Sequence, residues 1–559
     1  MKTWCNPLDL GYRYQHFREG GRRYACREAA DPTLILFHDT YYLFASMSAG
    51  FWYSSDLLNW KFKPAEDLLI YDYAPDVREI GGWLVFCASR RGTNCPILRT
   101  KDPLNDPFEQ VSAPFDFWDP DMFQDDDGRV YFYWGCSNAE PIYGVEMDPE
   151  TLTPVGEKKV LIHDRENELG YERPAGNGAL KPYIEGAFMT KLRGRYYLQY
   201  ACPGTEFNTY SDGVYVSDSP LGPFTLQKSN PFSSKPGGFI TGAGHGSTIE
   251  DRYGNLWHTA TMSISVNHLF ERRIGLFPAG IDGDGTLYCC QSFADYPHRI
   301  PEGRFDPRKL APEWMLLSYK APVTASSTAE GSSPENAVNE DIRTWWSAGT
   351  DRPGEWIAAD LGAVKDVRAV QVSLADQDVS EDFPEDSYVG SPQGRHIDTR
   401  PQISRYRLET SENGASWTLR ENVERDCSSG YFEYPEGIRA RYVRVTGDSL
   451  PYGQRLRVSG LRVFGNGNGE KPAAASVLSA VKTDPMDADV EWTAVPGADG
   501  YNVLYGNAPD KLYHSWMVYG ENRVRLSTLI AGQKTFVRVD SFNENGITEG
   551  KTVEVSGIQ

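Results

Sequence analysis

The sequence predicts an all-β chain: a five-bladed β-propeller over residues 1–312, then two β-sandwiches over 313–466 and 467–559. Three observations predict it. A segment with one grammar recurs five times: a polar head, a turn of Gly, Asp or Asn about ten residues on, then a strand rich in aromatic and β-branched residues. The heads Asp31, Asp76, Asp119, Glu185 and His245 follow one another at 45, 43, 66 and 60 residues, and five imperfect repeats of that size indicate five blades. After residue 312 the grammar changes to short alternating strands between Gly and Pro turns, the pattern of sandwiches.

Residues 1 to about 30 are polar and aromatic, basic from 18 to 23, and lead into the first blade. That blade has Asp31-Pro32 at its head, strands LILF and YYLFAS around a turn at 38–40, and a third strand at 51–53. In the second, YAPDV precedes a Gly81-Gly82 turn and a strand at 83–89. Asp76 either faces the channel as a sugar-binding acid or bonds to local backbone. The third blade is DPDMFQDDDGRVYFYWG. Asp121 shares a strand face with Asp119, because side chains alternate along a strand. The run 125–128 reads as a hairpin turn, since a calcium loop needs alternating ligands and a distant Glu. Trp118 and Trp134 flank this stretch, as stacking surfaces for a sugar or as core. Glu185 heads the fourth blade, in EGAFMTKLRGRYYLQYA, and His245 heads the fifth, between glycines that allow close backbone approach. Arg272 and Arg273, in the segment that closes the ring, are candidates for a sugar hydroxyl.

In a propeller the innermost strand of every blade borders one central channel, so heads far apart in sequence converge. Asp31, Asp119 and Glu185 then bring three carboxyl groups together with His245. Acids held at different depths suit glycoside hydrolysis.

Composition narrows the partners. The 559 residues carry a formal charge of −21, which argues against nucleic acid and favours neutral oligosaccharides or polysaccharides. Aromatics reach 13%, with 14 Trp and 32 Tyr, enough for sugar-stacking surfaces. Nine cysteines form no metal-like CxxC pair, and an odd number cannot all pair within one chain; Cys87 and Cys136 in particular read as reduced thiols in apolar strands. No apolar leader opens the chain and no run of 18 apolar residues occurs, so no membrane is expected. The expected location is cytoplasmic as the sequence stands, and extracellular or periplasmic if a signal peptide has been removed.

ADP at 30–32, DPDMFQDDDG at 119–128, EGAF at 185–188 and GAGHGS at 242–247 occur in an order that resembles glycoside hydrolase family 43. The resemblance spans about the first 300 residues. It implies an inverting, usually exo-acting glycosidase for pentoses or related furanosides, of the α-L-arabinofuranosidase or β-xylosidase type, with a β-galactofuranosidase as the alternative. It implies Asp31 as general base, Glu185 as general acid and Asp119 as the group that orients the acid and tunes its pKa. It also implies a metal, commonly calcium, held through water beside His245, and no organic cofactor. A retaining enzyme on the same scaffold is a further alternative, disfavoured because those families place an Arg before the Asp-Pro of the middle acid, where this chain has Trp118. A non-catalytic, carbohydrate-binding propeller is the alternative from another class.

Residues 301–312 read as a linker. ENAVNEDIRTWWSA, GEWIAADLG and ARYVRVTG resemble discoidin-like domains, the fold of carbohydrate-binding module family 32, with Trp345, Trp346 and Trp356 read mainly as core and 376–400 as an exposed charged loop. GNGNGEKPAAA, 465–475, has the composition of a flexible linker. The last segment resembles a fibronectin type III sandwich, expected to act as a spacer or docking unit.

Overall fold

A computed structural model of the chain describes every residue except 1, 20, 21, 66, 67, 69–72, 91, 177, 378, 380–387, 391–395 and 559. Five antiparallel sheets follow one another as blades. Blade 1 is Ala30–Phe37, Thr40–Ser46, Gly50–Ser54 and Lys61–Pro64. Blade 2 is Tyr73–Ile80, Trp83–Ser89, Ile97–Thr100 and Glu109–Ser112. Blade 3 is Asp121–Gln124, Val130–Trp134, Ile142–Met147 and Pro154–Ile162. Blade 4 is Glu185–Leu192, Arg195–Cys202, Ser211–Ser217 and Thr225–Leu226, with Ser233–Ser234 paired to its third strand. Blade 5 is Thr241–Glu250, Leu256–Ser263, Arg272–Ile281 and Leu287–Cys289. The first strands touch in ring order, and that of blade 5 returns to that of blade 1. Five apolar clusters fill the five gaps between neighbouring blades, so each blade buries its aromatic strands only against the next.

The innermost strands share a local device. Each has a residue of left-handed conformation at its head, within the strand or just before it: Asp31 (φ 51°), Ala74 (52°), Asp119 (48°), Gly186 (60°) and His245 (47°), the fifth strand also holding Gly242 (105°) and Ala243 (94°) at positive φ. The pairing register slips beside this residue in blades 1, 2, 4 and 5, as at β-bulges, which re-aim a side chain. The N–H of that residue is held by a side chain of the preceding blade: Asp31 by Thr261 Oγ1 at 2.8 Å, Ala74 by Ser46 Oγ at 2.7 Å, Asp119 by Ser89 Oγ at 2.8 Å and His245 by Asp212 Oδ1 at 2.6 Å. Positive φ is costly for residues other than glycine; these cross-blade bonds hold the residues in it.

A second set of staples lies two residues further in. Asp76 accepts from Met122 N–H at 2.9 Å, Asp121 from Met189 N–H at 2.8 Å and Ser247 from Leu34 N–H at 2.9 Å, each bond joining one blade to the next. The remaining two joints use other groups: Thr33 Oγ1 donates to Pro75 O, and Thr248 Oγ1 to Gln199 Oε1.

Among the described residues, the N-terminal segment supplies no blade strand. Arg13–Glu19 and Arg22–Glu28 form a hairpin whose first strand pairs with His396–Asp398 of the second domain. Part of the segment expected to be an exposed loop is therefore a strand, and Asp398 is fully buried; 380–387 and 391–395 of that expectation lie outside the described residues. The turn at 125–128 is the hairpin expected, with Asp125 N–H donating to Arg129 O.

The second domain has a core around Trp346, Val370, Tyr406 and Val463, with Trp345 and Trp356 half-buried. The third has two sheets. Arg523–Leu526, Asp487–Trp492, Val477–Asp484 and Ser556–Gly557 make one, and His514–Tyr519, Gly500–Gly506, Phe536–Asn543, Gly546–Thr548 and Val553–Glu554 the other. The segment 465–475 is tied down: Asn468 Nδ2 donates to Val364 O, Asn545 to Glu470 O and Thr548 to Pro472 O.

Candidate active site

Asp31, Asp119, Glu185, His245, Trp118 and Arg272 line one pocket of about 550 Å³, with Tyr73, Cys136, Tyr183, Glu206 and Phe270. Three of these groups stand at left-handed heads. Glu185 stands one residue before the head of its blade, which is Gly186, and a Cβ on Gly186 would lie 2.7 Å from His245 Cγ. The fourth head therefore has no side chain, and the imidazole of the fifth occupies that space.

Asp31 is 4% exposed. Ser46 Oγ donates to its Oδ2 at 2.7 Å, and Arg272 Nη1 to its Oδ1 at 3.2 Å. Burial alone would raise its pKa, but Arg272, then His245, Ser46 and Thr261 outweigh this and hold the carboxyl below its ordinary value. Arg272 is itself fixed by Glu28 and lies over Phe270 and Tyr73, 4.8 and 5.5 Å from the ring centroids. Asp119 behaves in the opposite sense. Burial, Glu185 and Asp31 raise it to about 7, against the attraction of His245. His245 Nδ1 lies 3.4 Å from Asp31 Oδ1 and 3.6 Å from Asp119 Oδ2; burial disfavours its charged form, but Asp31, Asp119, Glu185 and Asp212 win and its pKa is raised. Glu185 Oε1 accepts from Tyr210 OH at 2.5 Å, and Cys136 Sγ donates to Oε2 at 3.2 Å.

Ligand atoms of Asp119, Glu185 and His245 lie within 4.8 Å of one another. Calcium takes six to eight oxygen ligands, so a calcium held through water beside His245 would draw at most the carboxyl groups of Asp119 and Glu185 from this cluster and fill its other positions with water.

Four expected sugar contacts lie elsewhere. Asp76 and Asp121 are the inter-blade staples, 2% and 0% exposed; they flank Arg78, which donates to Asp121 Oδ1 at 2.5 Å and lies 3.6 Å from Asp76 Oδ1. Trp134 ends the second strand of blade 3 and packs against Phe115 and Tyr143. Arg273 donates to the carbonyls of Arg27 and Arg272 at 2.6 and 2.9 Å. Cys136, expected in the core, is half-buried at the pocket wall, while all nine cysteines are free thiols. Tyr210 and Ser46 escaped the sequence reading because neither heads a repeat. Ser46 had one usable signal, since Ser46 and Ser89 both end the second strand of a blade.

Residues 26–287 match the family model "Glycosyl hydrolases family 43". These residues form a family 43 domain. A xylan 1,3-β-xylosidase of a Vibrio species is 27% identical over 280 residues, covering 44% of this chain and 48% of its own. A β-D-galactofuranosidase of Aspergillus niger is 30% identical over 107 residues, 19% of this chain and 26% of its own. The chain spans less than half the length of these two relatives. A solved structure described as a glycoside hydrolase has a TM-score of 0.46 at 19% identity, covering 78% of this chain and 97% of that one. The family 43 domain ends before the two sandwiches begin, and contains every pocket residue named above.

Proposed function

We propose that this chain is a glycoside hydrolase, exo-acting and inverting, that removes pentose or related furanoside residues from neutral glycans. One observation carries the reading: carboxyl groups from three blades meet in one aromatic-walled pocket, in environments that differ. Asp31, paired with a guanidinium and two hydroxyls, is kept ionised and suits a general base toward water. Glu185, reached by Tyr210 and Cys136, suits the proton donor to the departing oxygen. Asp119 places a carboxyl beside the acid and the imidazole; raised to about 7, it limits the negative charge that gathers there. Divergent environments of this kind separate acid from base in one site. Inversion requires the base and acid carboxyls to stand roughly 6.5–9.5 Å apart to admit the water.

The sugar is read from relatives. The Vibrio relative's name supports a β-xyloside, an α-L-arabinofuranoside is the second pentoside of the same reading, and the Aspergillus relative's name supports a galactofuranoside. Tyr73, Trp118, Tyr183 and Phe270 give the ring stacking faces. The second and third domains are assigned as discoidin-like and fibronectin type III sandwiches. For the last, the support is its division into one sheet containing Val477–Asp484, Asp487–Trp492 and Arg523–Leu526 and another containing Gly500–Gly506 and Phe536–Asn543.

The test is hydrolysis of aryl β-D-xylopyranosides, α-L-arabinofuranosides and β-D-galactofuranosides by wild type and Glu185→Ala, with the first-formed anomer followed by NMR. One sugar is expected to be released with inversion, and the variant to lose about 10²–10⁴-fold on a poor leaving group. First-formed product of retained configuration refutes inversion. No difference between wild type and variant refutes the assignment of Glu185.

A further inference from the structure

The two oxygens of Glu185 are not equivalent. Oε1 accepts from the Tyr210 hydroxyl at 2.5 Å, a short O–H···O bond, while among the described residues Oε2 accepts only from the Cys136 thiol, at 3.2 Å, and S–H is a weak donor. We propose that Tyr210 and Cys136 are positioning residues that assign the transferable proton of Glu185 to Oε2, an inference that rests on the glycosidase reading above.

A carboxyl that donates a proton needs one oxygen kept as acceptor and the other free of strong donors. Tyr210 meets the first requirement: burial and Glu185 push its phenol well above its ordinary pKa, so it remains a donor. Cys136 meets the second. Its thiol is also pushed well up, by burial first and then by Asp119 and Glu185, so no thiolate forms to take the proton. The other groups facing Glu185 are Asp119, His245, Tyr183 and Cys202, none of which is a hydroxyl bonded to Oε2. In the step itself Oε2–H passes its proton to the glycosidic oxygen as the bond to the anomeric carbon breaks, and that bond's electron pair stays on the leaving oxygen. The attacking water gives hydroxide to the carbon and a proton to Asp31. Solvent then returns a proton to Oε2 and removes one from Asp31. A serine at 136 would set a strong O–H donor on Oε2 and oppose its protonation; an alanine would not.

The experiment compares 2,4-dinitrophenyl and phenyl glycosides of the sugar that wild type releases, using Cys136→Ser, Cys136→Ala, Tyr210→Phe and Glu185→Ala, each checked for native circular dichroism. Cys136→Ser and Tyr210→Phe are expected to lower kcat about tenfold on the phenyl glycoside, the worth of one hydrogen bond, with KM within about twofold and the dinitrophenyl rate little changed. Cys136→Ala is expected to lose less than Cys136→Ser on the phenyl glycoside. Equal losses for serine and alanine, or losses equal on both leaving groups, overturn the proposal. If Glu185→Ala cleaves phenyl glycosides as wild type does, the glycosidase reading has failed instead. A readout without substrate is the infrared S–H stretch, isolated as wild type minus Cys136→Ala. It is expected at a hydrogen-bonded frequency that rises in Glu185→Ala; a stretch indifferent to Glu185 overturns the contact.

Discussion

Arg272 decides whether Asp31 can act as a base near neutral or acidic pH. Its Nη1 is 3.2 Å from Asp31 Oδ1, and it is the largest of the groups that offset burial. An opposite charge this close lowers a carboxyl pKa by about 1–3 units. Removing it raises the pKa, so at any acidic pH a smaller fraction of Asp31 is ionised. Arg272→Ala should therefore move the acidic limb of the kcat/KM profile upward by about one pH unit or more, with Arg272→Lys moving it less. An acidic limb that stays in place would mean that His245 and Ser46 alone keep Asp31 charged. Asp31, Asp119, Glu185 and His245 were legible in the sequence because each sits in a short motif with glycine or proline beside it, at the head of a repeat. Tyr210 and Cys136 were not, because they reach Glu185 from a loop before the third strand of blade 4 and from the loop that follows the second strand of blade 3. Nothing local in the sequence marks either as facing an acid.

The five-fold repeat was legible for a similar reason, since turns and aromatic strands are local features. Its register was not. Aligning the repeats on their polar residues places Asp76 level with Asp31, whereas the backbone places Ala74 there and puts Asp76 level with Thr33, Asp121 and Ser247. The alanine carries the left-handed conformation without a mark in its chemistry, and the aspartate two residues on became an apparent head. Its real work, shared with Asp121, is to accept a backbone N–H of the next blade and to hold Arg78. Asp121→Ala takes the acceptor from Met189 N–H and the closer carboxylate from Arg78. Breaking a buried pair of this kind costs about 3–5 kcal/mol. The denaturant midpoint should fall accordingly, while kcat/KM of the molecules that remain folded changes by no more than a few-fold. A large loss of kcat/KM at unchanged stability would return Asp121 to the substrate.

The three domains do not behave as beads on a string. Composition suggested a linker at 301–312 and a flexible one at 465–475, yet composition describes only the joint and not the distant residues that hold it. Arg462 of the second domain is 1% exposed. It pairs with Glu340 through Nε at 2.9 Å and Nη2 at 2.8 Å, and it donates from Nη1 to Asp295 O, beyond the last blade, at 2.5 Å. Asp295 in turn accepts from Lys235 Nζ and Phe239 N–H. Phe293 and Tyr296 of this same segment pack on Phe542 of the third domain, and Tyr288 stacks on Tyr513 at 4.4 Å. Arg173 of the blade 3–4 connection pairs with Asp487 of that domain, both nearly buried. Surfaces this intermixed leave each domain with buried polar groups and aromatic rings whose partners belong in part to its neighbours. Calorimetry of the whole chain should therefore show one cooperative transition, in which activity and all three domains are lost together. Arg462→Ala strands Glu340 and should lower that single transition by the equivalent of about 3–5 kcal/mol, leaving KM unchanged because the substitution is outside the pocket. Two separate transitions in the wild type, with the propeller's unmoved in the variant, would show that the blades are stable without the sandwiches and that the buried charges between them do no more than fill the interface.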